Sequence, residues 1–311
     1  MAQKGTHGAR APMICSELLP PVVEGDVSNR DNVLILGAVA YAPKVVSIWE
    51  GFRTVLEARG VPFDFVLFSN YERQVEALFS GAVHIAWNSP LAWIETDRVA
   101  RARGRKASAV AMRDSDRDLT SAVIVRARES AQSLQDLSGA TVAVGAADSP
   151  QATLIPLLHF AEAGREPGRK PQLLRHDVFV GKHGDHVGGE RDAVRALLAG
   201  QADAACVLDA NLLAFGQDGT LPPGATRVVF QTPPYDHCNF TVLDGPHGEL
   251  VERFVEALLA MSYADPEVRS LMDQEGLKAW LPGRLTGYAQ LERAVAKLGV
   301  IDGWLARMGA T

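Results

Sequence analysis

The sequence predicts an α/β protein of two lobes with a helical C-terminal tail. Apolar runs alternate with helical spacings from residue 33 to residue 87. The alternation restarts near residue 119 and continues to residue 215, after which the chain returns through Pro233-Pro234 to one further strand. Alternation of this kind requires helical crossovers between parallel strands, and two such units joined by two crossings enclose a cleft suited to hinge closure on a small ligand.

Residues 33–39 form an apolar run ahead of Pro43 and read as a buried strand. Val45, Ile48, Trp49, Phe52 and Leu56 follow at helical spacing, and Gly60 ends that helix. Residues 62–68 are a second strand and residues 71–79 a helix with Val75 and Leu78 inward; after Gly81, residues 83–87 are a third strand. In the second unit, residues 119–126 and 141–144 are strands around a turn or short helix at 133–139. Residues 149–163 are a helix with Ser149 as N-cap and Pro150 at the first helical position. A strand at 173–180, a helix at 188–199, a strand at 202–208 and a helix at 210–215 complete the unit. Residues 239–243 are the returning strand, and the tail carries helical segments at 249–263, 266–275, 290–298 and 303–308. The strands around 106–126 and 226–243 read as the two crossings. The expected division is a polar arm at 1–31, a first lobe of 32–118 with 233–311, and a second lobe of 119–232.

The 311 residues are 47% hydrophobic and 22% charged, with a net charge of −6. A chain so constituted buries substantial cores, and its near balance of charges excludes a broad basic face for nucleic acid. No run approaches the ~18 apolar residues of a membrane span, so no membrane insertion is expected. Cys15, Cys206 and Cys238 form no Cys-x-x-Cys pair and no disulfide framework. The arm lacks the apolar core of ~7–15 residues of a secretory signal. The sequence as it stands therefore reads as cytoplasmic, or as periplasmic if its start is truncated or misassigned.

In open α/β sheets ligands lie beyond the carboxyl ends of strands, against helix N-termini. Four loops stand there: Ala40-Tyr41-Ala42-Pro43, Asn88-Ser89-Pro90, residues 145–150 ending in Ser149-Pro150, and the Gly- and His-rich residues 181–190. Ser89 and Ser149 offer hydroxyl donors, and capping its own helix is a compatible role for Ser149. Tyr71 opens a helix and offers a ring wall. Trp49, Trp93 and Trp280 sit in helical patterns and read as core or subunit contacts, and Cys206 reads as a small buried hydrophobe in a strand. No Walker or dinucleotide fingerprint is present, so no cofactor is expected. No metal is expected either; His183 and His186 are the candidate ligands if one binds, with Asp185, Glu190 and the Asp236-His237-Cys238 group as possible additions, although the spacing fits no known signature. Cooperation between His237 and Cys238 is disfavoured, because adjacent residues on a strand point to opposite faces.

Three segments, in order, resemble one family. Ser69-Asn70-Tyr71 with Val75 and Leu78, followed by Gly81-Ala82-Val83-His84-Ile85-Ala86-Trp87, resembles a stretch of the phosphate/phosphite/phosphonate-binding proteins of ABC importers. Leu134-Gln135-Asp136-Leu137-Ser138-Gly139 running into Val142-Ala143, and Asp192-Ala193-Val194 running on to Gly200-Gln201-Ala202-Asp203-Ala204-Ala205, are similar to two further segments of that family. The resemblance implies a type II periplasmic-binding-protein fold that clamps a ligand between lobes. It matches Tyr71 to a ligand-contacting tyrosine, Ser149 to the first residue of an anion-binding Ser-Thr-Ser helix start, His186 to a loop histidine, and Asp236 to an acidic residue facing a ligand amine. The triplet is Ser149-Pro150-Gln151 here, which removes one N–H and two hydroxyls. The ligand-binding set is therefore Tyr41, Tyr71, Asn88, Ser89, Ser149, Gln151, His186 and Asp236, and the expected function is binding of a small anionic or zwitterionic metabolite, phosphonate-like or related, by a solute-binding or sensor protein. A transporter or regulatory partner is left unspecified. The alternative is a cytoplasmic enzyme on the same scaffold, metal-dependent through the His183–His186 loop.

Overall fold

In the computed structural model, the structure describes residues 32–164, 170–177 and 187–310. Two mixed sheets organise them. The first has six strands and the second five.

The first sheet begins as the sequence predicts. β1 (Leu34–Val39), β2 (Phe63–Phe68) and β3 (Ile85–Asn88) are parallel, joined by α1 (Lys44–Ala58) and α2 (Tyr71–Ser80). Asn70 caps α2 by accepting from the Arg73 N–H, and Gly81 ends it in the left-handed conformation that glycine adopts without a Cβ penalty. A further helix, α3 (Pro90–Ala102), follows β3 at once, with Ser89 as N-cap and Pro90 at its first position. β4 (Ala107–Arg113) then lies two places from β3, antiparallel to β10 (Asn239–Leu243), which fills the place between them.

The second sheet is built from β5 (Ser121–Arg126), β6 (Thr141–Val144), β7 (Gln172–Arg175), β8 (Ala204–Leu208) and β9 (Thr226–Gln231). Its helices are α4 (Ile155–Ala163), α5 (Val187–Leu198) and α6 (Asp209–Gln217). The expected strand at 173–180 ends at Arg175, and residues 178–180 lie outside the described ones. The tail comprises α7 (Gly248–Leu259), α8 (Pro266–Glu275), β11 (Trp280–Pro282), α9 (Ala289–Leu298) and α10 (Asp302–Arg307). Trp280 therefore stands on a short edge strand beside β4 and not on a helix, because its ladder partners lie far away in sequence, at 111–113.

The chain passes between sheets twice, at 114–120 and at 232–238. These crossings are tied to each other: Leu119 and Tyr235 exchange both backbone hydrogen bonds, each 2.8 Å. The core under the first sheet is aromatic. Phe240 is packed among Trp49, Trp87, Phe254 and Trp280, with ring centroids 4.6–6.1 Å apart. A second cluster draws on both sheets, since Leu154, Ile155 and Leu158 at the start of α4 pack with Leu91, Trp93, Leu291 and Trp304. Leu157 and Phe160, one helical face away, pack instead under the second sheet. This explains why the first turns of α4 are apolar all round. Cys206, on β8, is fully buried, and burial pushes its thiol well up.

Truncating Phe240 to Ala removes the centre of the aromatic core and is expected to cost about 3–5 kcal/mol. Leu213→Ala, at a side chain 69% exposed, is expected to change stability by less than about 0.5 kcal/mol. Urea midpoints at unchanged m-value check both.

Candidate ligand-binding site

The parallel strands β1 and β3 end at one side of the first sheet, and a cavity of about 340 Å³ opens there beside the second crossing. Its wall includes Tyr41 after β1, Tyr71 at the start of α2 and Trp87 on β3. Arg113, the last residue of β4, closes one side, with His237 and Cys238 ahead of β10. Lys44 and the end of α8, at Asp273 and Glu275, complete it. The carboxyl-end rule thus places two expected residues, Tyr41 and Tyr71, in one cavity.

Charge in this cavity is arranged around Arg113. Its guanidinium lies 5.1 Å from the Trp87 ring and grips Asp116 bidentately, with Nε to Oδ2 at 2.6 Å and Nη2 to Oδ1 at 2.9 Å. Its Nη1 donates to the Glu275 carbonyl at 2.8 Å and carboxylate at 3.1 Å. Burial alone raises the Asp116 carboxyl pKa, but Arg113 and the hydrogen bonds from His237 and Arg113 outweigh it and lower it to about 2. Burial likewise opposes charge on His237, but the electrostatic pull of Cys238 and Asp116, and hydrogen bonds to both, prevail and raise it to about 10. Nδ1 of His237 lies 3.1 Å from Cys238 Sγ and 3.5 Å from Asp116 Oδ1. The expectation that His237 and Cys238 face apart is corrected: residues 236–238 are irregular, so strand alternation does not apply, and the two side chains meet. The backbone joins the same group, because the His237 N–H donates to the Asp116 carbonyl at 2.8 Å and the Cys238 N–H to Asp116 Oδ1 at 3.2 Å. Tyr288 fixes the segment from beneath, its hydroxyl donating to the His237 carbonyl at 2.8 Å and accepting from Asn239 Nδ2 at 2.8 Å.

The other expected residues that the structure describes do not line this cavity. Asn88 is fully buried; it accepts from Gln74 Nε2 at 2.8 Å and donates to Thr96 Oγ1 at 3.2 Å. Ser89 caps α3, accepting from the Ala92 N–H at 3.2 Å. Ser149 caps its helix as the sequence indicates, accepting from the Ala152 N–H at 3.2 Å. The first turn is wound as a π-helix, Pro150–Leu154, with the Leu154 N–H donating to the Ser149 carbonyl at 2.9 Å. Gly145 lets this turn approach β6, since a Cβ there would lie 2.9 Å from that of Ala152. Gln151 is buried, and its carbonyl accepts from Ser121 Oγ at 2.6 Å; that oxygen in turn meets the Tyr235 hydroxyl at 2.7 Å. Asp236 is buried against Arg284, which donates through Nε at 2.7 Å and Nη2 at 2.6 Å. The ion pair raises the Arg284 pKa. Gly287 packs on this carboxylate, where a Cβ would collide with it. His183 and His186 lie outside the described residues. Sequence reasoning missed Arg113, Asp116 and Glu275, and no local spacing marks them.

The sequence pattern of the family described as "ABC transporter, phosphonate, periplasmic substrate-binding protein" matches residues 38–288. Among solved structures, the fold is similar to that of PhnD1 from Prochlorococcus marinus in complex with methylphosphonate, at TM-score 0.61 and 15% identity over 86% of this chain and 98% of that one. It is similar to XAC2383 from Xanthomonas citri bound to chloride ion, at TM-score 0.62 and 18% identity over 88% and 99%. A binding-protein component of a phosphonate ABC transporter from Pseudomonas aeruginosa matches at TM-score 0.54 and 17% identity over 89% and 96%. At these identities the likeness is one of fold. No helix among the described residues is long and apolar enough to cross a membrane.

Replacing Asp116 by Asn leaves Arg113 buried without its main counter-charge and is expected to cost about 3 kcal/mol, read from the urea midpoint. His237 titrates at a raised value, so its contribution to stability is fully present below its ordinary value of 6.5 and is lost as pH rises through about 10. With EDTA present to keep the imidazole free of metal, the melting temperature is expected to fall across that window, and the fall is expected to be reduced in His237→Gln.

Proposed function

The chain belongs to the periplasmic substrate-binding proteins of phosphonate ABC transporters, and from that membership we propose that its cavity takes a small zwitterionic metabolite with an oxyanion head, an aminoalkylphosphonate or an amino acid being the nearest chemistry. The observation that carries this reading is that both signs of charge line one cavity, Lys44, Arg113 and His237 together with Asp273 and Glu275. Lys44 forms no ion pair among the described residues, and its Nζ lies over the Tyr41 ring at 5.7 Å. The oxyanion meets Lys44 and His237, Tyr41 and Tyr71 wall the organic part, and the end of α8 receives the amine. Asn88, Ser89, Ser149, Gln151 and Asp236 do not line this cavity, and the cap that Ser149 makes leaves its hydroxyl hydrogen able to donate to an anion. His186 remains a candidate contact. An importer's membrane subunits are the partner class this membership suggests, and cell fractionation distinguishes the periplasm from the cytoplasm expected of residues 1–31.

Thermal unfolding against 2-aminoethylphosphonate, methylphosphonate, phosphate, methanesulfonate and a set of amino acids tests the proposal. An amine-bearing oxyanion is expected to raise the melting temperature saturably and more than methylphosphonate does, as binding to the folded state alone requires. Lys44→Met and Tyr71→Ala are each expected to weaken it roughly tenfold, about 1.4 kcal/mol. No shift from any of these compounds at millimolar concentration overturns the reading.

A further inference from the structure

We propose that Asp116, His237 and Cys238 form a three-ligand site for a divalent transition metal of zinc type, with its fourth position open to the cavity. One donor atom from each of these side chains lies within 4.8 Å of the other two. Two of the three separations, 3.1 Å from His237 Nδ1 to Cys238 Sγ and 3.5 Å from His237 Nδ1 to Asp116 Oδ1, are close to the edges of a tetrahedron. Bonds of about 2.0–2.3 Å to N, O and S give edges of roughly 3.3–3.7 Å. The donor set is one thiol sulfur, one imidazole nitrogen and one carboxylate oxygen. Sulfur and imidazole select zinc, cobalt or a similar ion over magnesium or calcium.

The surroundings hold the donors in place. Arg113 fixes the Asp116 carboxylate through two hydrogen bonds, the Cys238 N–H adds a third, and Tyr288 pins the His237 carbonyl. Support of that kind orients ligating groups in metal sites. A thiolate and a carboxylate neutralise a dication, and Glu275 balances the Arg113 guanidinium, so the loaded site carries no net charge. His237 and Cys238 both line that cavity, and three protein ligands with one open position suit a site that takes an exchangeable fourth ligand. Metal binding itself does not depend on the ligand proposed above; only the occupant of the fourth position rests on that reading.

Cobalt substitution of the full chain tests the site. Protein stripped with EDTA is titrated with Co²⁺ and checked for retained fold by circular dichroism. One equivalent is expected to give tetrahedral visible absorption with a near-ultraviolet sulfur-to-cobalt band, both displaced by Zn²⁺. Cys238→Ser is expected to lose the sulfur band, His237→Gln to weaken binding at least about tenfold, and Cys206→Ser to change neither. A folded wild-type protein with no sulfur-to-cobalt band, a band that survives in Cys238→Ser, or an octahedral spectrum overturns the site, and the trio is then an ion-pair network only. The thermal-shift series, run in EDTA, separates the two proposals: ligand shifts without a cobalt band sink the metal alone, and a cobalt band without ligand shifts sinks the ligand reading alone.

Discussion

The pairing of Arg113 with Asp116 sits where the chain leaves the first sheet, and much of the site depends on it. An arginine and an aspartate removed from water are costly unless each satisfies the other. Here the geometry is bidentate, and the remaining capacity of both groups is used by neighbours from other parts of the chain: Glu275 at the end of α8, and the backbone and side chains of His237 and Cys238. One ion pair thereby fixes the end of β4, the end of α8 and the approach to β10, which are three sides of the cavity. Trp87 completes it by presenting its ring to the guanidinium.

The second constraint is the coupling of the sheets. The crossings are joined by the Leu119–Tyr235 bridge, and Asp236 with Arg284 and Asp118 braces the same point. Gln290 on α9 adds a link by donating to the carbonyls of Pro233 and Pro234 while its Oε1 meets His159 on α4. Ser149 and Asp236, which a resemblance assigns to ligand contact, also cap a helix and pair with Arg284. Both signs of charge meet in the cavity beside the second crossing, where Arg113 and Glu275 are paired.

The parallel half of the first sheet was legible because Val45 to Leu56 and Val75 to Leu78 carry their periodicity locally, and because Gly60 and Gly81 mark the stops. The Ser149-Pro150 start was legible for the same reason. Helix α3 carries the same Ser-Pro signal at Ser89-Pro90, yet those residues read as a ligand loop because they follow a strand end. Trp280 was misplaced because a three-residue strand has no period of its own; only its partners on β4 define it. Asp116 was invisible for a related reason. Its contacts with Cys238 span 122 positions, and nothing near it in sequence announces them. The meeting of His237 with Cys238 depends on an irregular backbone, which a rule of alternation cannot anticipate.

The cluster at the start of α4 has a thermal consequence. Leu154, Ile155 and Leu158 touch helices of the first sheet while Leu157 and Phe160 belong to the second. Parting the two halves therefore wets hydrocarbon as well as breaking polar contacts, and wetting hydrocarbon carries a positive heat-capacity increment. The stability of the joined sheets is then a curved function of temperature, and a calorimeter reads the hydrocarbon exposed on unfolding as part of the heat-capacity step.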